Sequence, residues 1–283
     1  MTDACYLPLD SAEDAGADRA GDMEYFAPTE HALGPWGPIQ HGGPVSGLLT
    51  RAMDRCAPRA GARLTKISVD LLGPVPMSEV RVGARVTRPG KRIEMLSAVL
   101  EARQPDGSWR AAATASAWRL ANQPTDDVVR RADPPVELPD EALDLSAVDV
   151  SSAWSTQGFV NAMEWRLGTP GGEPGDPTVA WVRLRLPLVA GEEISDLERL
   201  MTVADAANGV GARLDPAEFA FLNTDLTVHL FEEPGSQWVG IAAEASVGSD
   251  GVGMNAGVLH APHGPIGRLA QNLLVERRVP ATV

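Results

Sequence analysis

Two stretches decide the fold: LTKISVDL at residues 64–71 and NTDLTVHL at residues 223–230, which align position by position. Both end in alternating polar and apolar residues, which is the period of a β-strand with one buried face. A helical pattern precedes each stretch, and strand-like patterns follow it. A pattern that recurs once along the chain indicates a duplicated unit, so we expect two repeats of one fold.

The first repeat begins with a helical pattern. The sequence HGGP at residues 41–44 opens an apolar helix that we predict to run to about Cys56, with Pro44 in the first turn. Pairs of glycine and proline separate the strand-like runs that follow. These runs cover residues 63–72, 79–87, 93–103 and 108–118, and a further run near residues 23–27 precedes the helix.

The second repeat has the same order of elements. Ser195 and Glu198 form a capping-box pattern that predicts a helix start, and Asn208-Gly209 predicts its end. The strand-like runs cover residues 160–167, 179–186, 219–231, 238–247, 252–260 and 266–277. We therefore predict an α+β fold in which each repeat is an antiparallel sheet wrapped around one long helix.

A stretch rich in proline and acidic residues separates the repeats. It spans residues 121–152 and is the clearest stretch of low hydrophobicity in the chain. Such a composition is typical of a linker. The predicted domains are therefore residues 1–120 for the N-terminal repeat and residues 153–283 for the C-terminal repeat.

The composition is that of a globular protein. The chain has 283 residues, of which 44% are hydrophobic, and its net charge is −14. This charge argues against a nucleic acid or an anionic membrane as partner, although local arginine clusters leave an anionic small ligand open. Without a membrane-spanning run or a signal-peptide pattern, we expect no membrane insertion and a cytoplasmic location. The cysteines, Cys5 and Cys56, lack metal-ligand spacing, and the sequence contains no metal-binding cluster.

Asp205 interrupts the apolar face of the second helix. The apolar stripe consists of Leu197, Leu200, Met201 and Ala204. Asp205 and Asn208 continue this stripe toward the end of the helix. A carboxylate there loses hydration and opposes the helix dipole by roughly 0.3–1 kcal/mol, so the position suggests a function. The alternative, an exposed and frayed helix end, is left open by the sequence.

Two more polar residues fall on strand faces that are otherwise apolar. Alternation places Thr224 on an inward face, and it places Gln271 on the inward face of the last strand. Thr224 also has a structural explanation, because threonine is a good strand former and Thr65 occupies the aligned position. An unpaired buried polar group destabilises a fold by roughly 1–3 kcal/mol, so we expect Asp205, Thr224 and Gln271 to converge. The first repeat lacks this set, which predicts one site per chain.

Four segments carry a resemblance to the acyl-CoA thioesterase II family, and the resemblance covers most of the chain. The segments are QHGG at residues 40–43, MTVAD at 201–205, NTDLTVHLF at 223–231 and Ala270-Gln271. The resemblance implies a double hotdog fold, hydrolysis of acyl-CoA or a related acyl thioester without a cofactor, and the catalytic trio Asp205, Thr224 and Gln271. After Thr224 the chain departs from the usual family sequence, which leaves the substrate and the efficiency open.

Thioester hydrolysis requires a positioned water, a proton acceptor and donors for the developing oxyanion. We predict that Asp205 is the general base or water anchor, and that Thr224 and Gln271 hold the same water. One rival hypothesis is a hotdog protein that binds acyl groups or another small molecule without cleaving them.

The start of the first helix is predicted to belong to the same pocket. Backbone N–H groups near Gly42 and Gly43 are candidate oxyanion donors, because absent side chains let a carbonyl approach the positive end of the helix. The alternative is that the glycines only form a tight helix entry. His41 and Asn208 are predicted to shape the pocket, and for His41 a hydrogen-bonded loop histidine remains the structural alternative.

The sequence offers a basic cluster for the phosphates of coenzyme A. The cluster lies at a predicted hairpin tip and consists of Arg88, Lys91 and Arg92, although most charged hairpin tips are simply solvated. The sheets still have edges and outer faces, so self-association into a homo-oligomer is compatible with the pattern.

Overall fold

The computed structural model describes residues 3–9, 23–143 and 158–278. Its helices are α1 (Gly42–Arg55), α2 (Asp196–Ala204) and α3 (Ala207–Gly211), with short 3-10 helices at Glu30–Ala32 and Asp126–Val128. Its strands are β1 (Tyr6–Pro8), β2 (Glu24–Pro28), β3 (Ala62–Leu71), β4 (Val80–Arg88), β5 (Ile93–Arg103), β6 (Trp109–Ala121), β7 (Met163–Leu167), β8 (Thr178–Leu184), β9 (Phe219–Asn223), β10 (Asp225–Leu230), β11 (Val239–Val247), β12 (Val252–Ala261) and β13 (Gly264–Arg277). None of the helices in these ranges has the length and hydrophobicity that a membrane crossing requires.

The described strands join one antiparallel sheet in which the two repeats lie side by side. The order is β1-β2-β4-β5-β6-β3-β10-β13-β12-β11-β8-β7, with β9 beside β13. The repeats meet where β3 pairs with β10, and there Ser68 lies opposite Thr227 with their hydroxyl oxygens 3.0 Å apart. The alignment of residues 64–71 with 223–230 makes these two residues equivalent. A pseudo-two-fold axis therefore passes between them.

The two long helices pack against each other in front of the sheet. Helix α1 contacts β3, β4, β5 and β6 of its own repeat, whereas α2 contacts β8 and β11. A side chain at Gly43 would overlap the carbonyl oxygen of Thr202, and one at Gly47 would overlap its hydroxyl. Because Gly43 and Gly47 are one turn apart, they let the two backbones approach closely.

Helix α1 has the predicted extent. His41 is the N-cap, and its Nδ1 accepts a hydrogen bond from the Gly43 N–H at 3.0 Å. Pro44 occupies the first turn, where a missing N–H is tolerated. At the other end the Arg119 guanidinium donates to the carbonyl oxygen of Met53 at 3.1 Å, which has no partner within the helix.

The second helix is shorter than predicted. Ser195 and Glu198 form the expected capping box, but α2 ends at Ala204 and the chain resumes as the separate helix α3. The Nε2 of Gln271 donates to the carbonyl oxygen of Asp205 at 3.2 Å, and this is an acceptor that a continuing helix would use for its next turn. Asp205 therefore lies at the break, as the C-cap of α2.

The single strand predicted after α3 is interrupted at Thr224. Strand β9 pairs with β13 up to Asn223, opposite Leu273, whereas in β10 Thr227 lies opposite Ala270. From Asn223 to Thr227 the chain thus advances by four residues, while β13 advances by three residues, from Leu273 to Ala270. The extra residue forms a β-bulge, which shifts the alternation of the two faces.

The bulge changes which side chain faces the interior. Thr224 is exposed, so its predicted inward orientation is wrong. Asn223, which simple alternation assigns to the outer face, turns toward Asp205 instead. After the bulge the alternation resumes as predicted, with Leu226 and Val228 buried.

Part of the predicted linker packs against the C-terminal repeat. The Trp181 indole N–H donates to the carbonyl oxygen of Glu137 at 2.7 Å, and the Arg268 guanidinium binds the Asp133 carboxylate through two hydrogen bonds. Residues 144–152 of the linker lie outside the described ranges. The described part is therefore attached to the sheet of the second repeat, and the domain boundaries stay a prediction.

Candidate active site

A cavity of about 480 Å³ lies beside the break between α2 and α3. Both repeats form its apolar wall, which includes Trp36, Leu71, Val75, Met163, Trp165 and Leu222. The polar side chains on its wall include His41, Asp205, Asn208, Asn223 and Thr224. A largely apolar cavity with a few convergent polar groups has the character of a small-molecule site.

Asp205 is the most constrained polar group of this cavity. Its side chain is only 3% exposed, so the alternative of an exposed helix end is wrong. The Asn223 amide Nδ2 donates to Asp205 Oδ1 at 2.7 Å, and Gln271 Nε2 lies 3.4 Å from the same oxygen. The other oxygen, Oδ2, is 3.1 Å from His41 Nδ1. The carboxylate is thus held by two neutral amides and one imidazole.

The Nδ1 atom of His41 lies between two possible hydrogen-bond partners. His41 Nδ1 lies 3.0 Å from the Gly43 nitrogen and 3.1 Å from Asp205 Oδ2. When Nδ1 accepts from the Gly43 N–H, it offers no hydrogen to Asp205; when Nδ1 carries a proton, the imidazole donates to the carboxylate. His41 Nδ1 can therefore change its hydrogen-bond partner without any movement of the backbone.

The absence of a side chain at Gly42 makes this contact possible. A Cβ at this position would lie 2.7 Å from Asp205 Oδ2 and 3.0 Å from its Cγ. The first residue of α1 thus meets the carboxylate through backbone alone, with the positive end of the helix directed at it. Gly42 and Gly43 therefore lie at the site. The absence of their side chains allows both the tight helix entry and the close approach to Asp205.

Gln271 is held from its other side by a residue that sequence patterns did not single out. Asn255 lies directly opposite Gln271 in the pairing of β12 with β13, and its Nδ2 donates to Gln271 Oε1 at 3.1 Å. Both side chains are buried. In the sequence Asn255 shares its strand face with Gly253 and Gly257, and the alternate face is the more apolar one, so the alternation does not predict that Asn255 is buried.

The alternation of polar and apolar residues also fails to predict that Asn223 contacts Asp205. Its sequence position next to Thr224 places it on the outer face unless a bulge is present, and no glycine marks the bulge. Thr224 itself remains in the cavity wall, and among the described residues its hydroxyl has no hydrogen-bond partner. The catalytic role of Thr224 therefore stays a prediction, while Asn223 makes the contact with Asp205.

Asn208 lines the same cavity. Its Nδ2 donates to the carbonyl oxygen of Phe221 at 3.0 Å, which links α3 to β9. Its Oδ1 is buried and has no hydrogen-bond partner within the described ranges. Asn208 thus lies in the cavity wall and links it to the segment that leads into the bulge, and its role in the pocket stays a prediction.

The basic cluster predicted for coenzyme A is not brought to this cavity. Arg88, Lys91 and Arg92 lie at the turn between β4 and β5, next to Ile93. Ile93 pairs with the end of β6 that is remote from the cavity. Leu100, by contrast, pairs with the same residue of β6 as the cavity residue Leu71. Seven residues of strand separate Ile93 from Leu100, which is about 23 Å at the usual rise per residue.

The first repeat holds an ion-pair network at the place that corresponds to Asp205. Arg51 lies ten residues after the N-cap of α1, as Asp205 lies ten residues after the N-cap of α2. The buried Arg51 guanidinium binds Glu24 at 2.8 Å and Glu192 at 2.7 Å. A paired cation therefore occupies the position that would hold the base of a second site.

Two carboxylates lie on the outer face of the sheet beside Thr224. Asp70 and Asp225 are directly opposite in the pairing of β3 with β10. Burial raises the pKa of the Asp225 carboxyl, and the Asp70 charge raises it further, although a hydrogen bond from the Asn272 N–H acts in the opposite direction. In the part of the chain that the structure describes, no group of three or more His, Cys, Asp or Glu residues is placed to hold a metal ion.

Three solved structures illustrate what the fold resembles. A conserved protein with a hotdog fold from Alicyclobacillus acidocaldarius has a TM-score of 0.67 and 15% identity, over 96% of this chain and 100% of the other. A tesB protein of Mycobacterium avium subspecies paratuberculosis has a TM-score of 0.61 and 15% identity, over 94% and 100%. An acyl-CoA thioesterase II from Mycobacterium marinum has a TM-score of 0.60 and 12% identity, over 93% and 94%. The predicted double hotdog fold is confirmed.

The sequence matches two family descriptions, one for each repeat. The acyl-CoA thioesterase N-terminal domain matches residues 31–120, and the acyl-CoA thioesterase C-terminal domain matches residues 135–275. No curated protein matches the sequence significantly. The two domains follow each other in the order of the repeats and cover most of the chain, and the chain therefore belongs to the acyl-CoA thioesterase family.

Proposed function

We propose that the chain hydrolyses acyl thioesters, acyl-CoA among them, to a free acid and a thiol. One observation carries this proposal: a buried carboxylate, Asp205, faces an apolar cavity and is held by two amides and an imidazole. A carboxylate without a cationic partner can accept a proton from water without breaking an ion pair. The apolar wall offers an acyl chain a place to bind out of water.

The proposed reaction begins with a water hydrogen-bonded to Asp205 Oδ2, on the side of the cavity. The water oxygen attacks the thioester carbonyl carbon, and its proton passes to the carboxylate. Thr224, whose hydroxyl is free to turn in the cavity wall, is the proposed second ligand of this water. Asn223 and Gln271 hold Oδ1 and thereby keep Oδ2 directed at the water.

The oxyanion of the tetrahedral intermediate is proposed to meet the start of α1. The N–H groups of Gly42 and Gly43 lie at the positive end of that helix, and the glycines leave room for a carbonyl. When a proton moves from Asp205 to His41 Nδ1, this nitrogen no longer accepts the hydrogen bond from the Gly43 N–H. The Gly43 N–H then becomes available to the oxyanion. The carbon–sulfur bond breaks, and the same proton leaves with the thiol.

The rival hypothesis is a protein that binds acyl groups without cleaving them. It predicts that a bound thioester stays intact and that substitution of Asp205 changes only the affinity for it. The contact between Asp205 and His41 would then only close the helix start.

The test is turnover of a panel of acyl-CoAs from short to long chains, with a thiol reagent that detects released coenzyme A. We expect hydrolysis by the wild type and a loss of about 100-fold or more in kcat for Asp205→Asn, the scale of a general base. Asp250→Asn, in an exposed turn, is the matched control and should leave kcat unchanged. Absence of hydrolysis at every chain length would favour the binding protein, whereas equal kcat in Asp205→Asn would refute Asp205 as the general base.

A further inference from the structure

We propose that Asn255 is a positioning residue, which fixes the amide of Gln271 so that its N–H groups face Asp205. The proposal rests on the proposed function, since it concerns the same carboxylate. Asn255 is 0% exposed, and within the described ranges it is not among the residues that line the cavity. It therefore acts through Gln271 and not on the substrate.

The geometry forms a chain of three buried side chains. Asn255 Nδ2 donates to Gln271 Oε1 at 3.1 Å, and Gln271 Nε2 lies 3.2 Å from the Asp205 carbonyl oxygen and 3.4 Å from its Oδ1. Gln271 thus receives one hydrogen bond and offers two. Because Asn255 and Gln271 are cross-strand neighbours, the pairing of β12 with β13 sets their distance.

With the Nδ2 of Asn255 directed at Gln271, the chemistry of the two amides favours one arrangement. A rotated Gln271 would turn its Oε1 toward the two oxygens of Asp205, so that three acceptors would face each other without a hydrogen. The same rotation would turn its Nε2 toward the Nδ2 of Asn255, so that two donors would meet. Asn255 therefore stabilises the orientation in which the N–H end of the Gln271 amide reaches Asp205.

The rest of the fold gains little from an asparagine at this place. The Oδ1 of Asn255 is buried and has no hydrogen-bond partner among the described residues, which is unfavourable for stability. Gly211 of α3 makes room for this atom, because a side chain there would overlap Asn255 Oδ1. An apolar side chain would fill the same position without an unpaired oxygen. The asparagine is therefore explained by its one hydrogen bond, to Gln271.

The first test compares Asn255→Leu with the wild type in acyl-CoA hydrolysis. Loss of one buried hydrogen bond predicts that kcat falls by about 5- to 10-fold while KM stays within about twofold. His260→Leu is the matched control, because His260 is a buried polar residue of the same strand, about 16 Å further along it. Unchanged kcat in a folded Asn255→Leu would overturn the proposal.

A double variant separates positioning from a general packing effect. If Asn255 acts only through Gln271, then kcat of Asn255→Leu with Gln271→Leu equals kcat of Gln271→Leu alone. Losses that add in full would overturn the proposal. Should Asn255→Leu fail to fold, Asn255→Asp keeps the size and removes the donor, and the same comparison applies.

A readout without turnover distinguishes a failure of this proposal from a failure of the proposed function. In ¹⁵N-labelled protein the side-chain amide hydrogens of Gln271 should exchange slowly with solvent, and Asn255→Asp should make them exchange at least tenfold faster. Gly211→Ala, which displaces Asn255 without changing its chemistry, should have the same effect. Equal exchange in all three proteins would overturn the positioning role, whether or not the wild type hydrolyses a thioester.

Discussion

Replacing Asn223 by leucine should lower kcat for thioester hydrolysis by about 10- to 100-fold. The substitution preserves most of the side-chain volume and removes the amide that donates to Asp205 Oδ1 at 2.7 Å. Asp205 would keep Gln271 and His41 as partners, so its carboxylate would remain in the cavity. It would lose its shortest hydrogen bond, and with it the fixed direction of Oδ2.

The magnitude follows from the type of hydrogen bond. A hydrogen bond to a charged group contributes roughly 1.5–3 kcal/mol, and each 1.36 kcal/mol lost at the transition state lowers the rate about tenfold. If the whole contribution is lost from the transition state, the decrease is about 10- to 100-fold. The decrease should stay below that of Asp205→Asn, because the base itself remains.

The assay is the initial rate of thiol release at saturating acyl-CoA, and Thr224→Val is the comparison. Simple alternation predicts that Thr224 points inward and that Asn223 is irrelevant, whereas the β-bulge predicts the larger effect at Asn223. Melting temperatures of both variants show whether the fold is retained. Wild-type kcat in Asn223→Leu, or a larger loss in Thr224→Val, would refute the reasoning from the bulge.

Two further predictions concern stability. Alanine normally stabilises a helix relative to glycine by roughly 1 kcal/mol. Gly47→Ala should nevertheless destabilise the fold by about 1–3 kcal/mol, because the new methyl overlaps the Thr202 hydroxyl. Denaturant unfolding should show this loss, and Thr202→Ala in the same chain should relieve it. The raised pKa of Asp225 means that its native-state stability contribution is complete at low pH and is lost as the pH rises. Asp225→Asn should therefore raise the stability by about 0.5 kcal/mol at pH 7 and leave it unchanged near pH 3, where the protonated carboxyl carries no buried charge and is not repelled by Asp70; a gain of equal size at both pH values would contradict these causes.

Much of the fold was predictable from short-range signals. The capping pair Ser195 and Glu198, the helix entry at Gly42-Gly43 and the Gly-Pro boundaries of the strands each depend on a few neighbouring residues. The equivalence of Ser68 with Thr227 also follows from the sequence, because both strands repeat one pattern. In these cases local chemistry and the final fold agree.

The break after Ala204 was not predictable in this way. The helical stripe continues through Asp205, and the residues that end the helix include Gln271, whose amide takes the Asp205 carbonyl oxygen from a distant strand. At Asp205 and at Gln271 the sequence shows only a polar residue on an apolar face. It does not show that the Gln271 side chain binds the Asp205 carbonyl oxygen, the hydrogen-bond acceptor on which the next helical turn depends.

The β-bulge has a similar origin. Nothing in the sequence around Thr224 favours an extra residue, but the register is fixed on both sides of it. Beyond the bulge, β10 must pair with β3 around Ser68 and Thr227, and before it β9 must bring Phe221 under α3. Between these two constraints the chain is one residue longer than its partner strand, and this extra residue turns Asn223 inward.

The two repeats carry different ionisable residues at one equivalent position. At the equivalent position α1 carries Arg51 and α2 carries Asp205, and both are buried in the contact between the repeats. Arg51 is neutralised by Glu24 and Glu192, so this end of the helix pair forms a closed ionic contact. Asp205 is met by amides and by His41 instead, so its negative charge has no fixed cation opposite it. One repeat thus holds its buried ionisable group in a structural ion pair, and the other holds the carboxylate to which we assign the proton transfer of the proposed reaction.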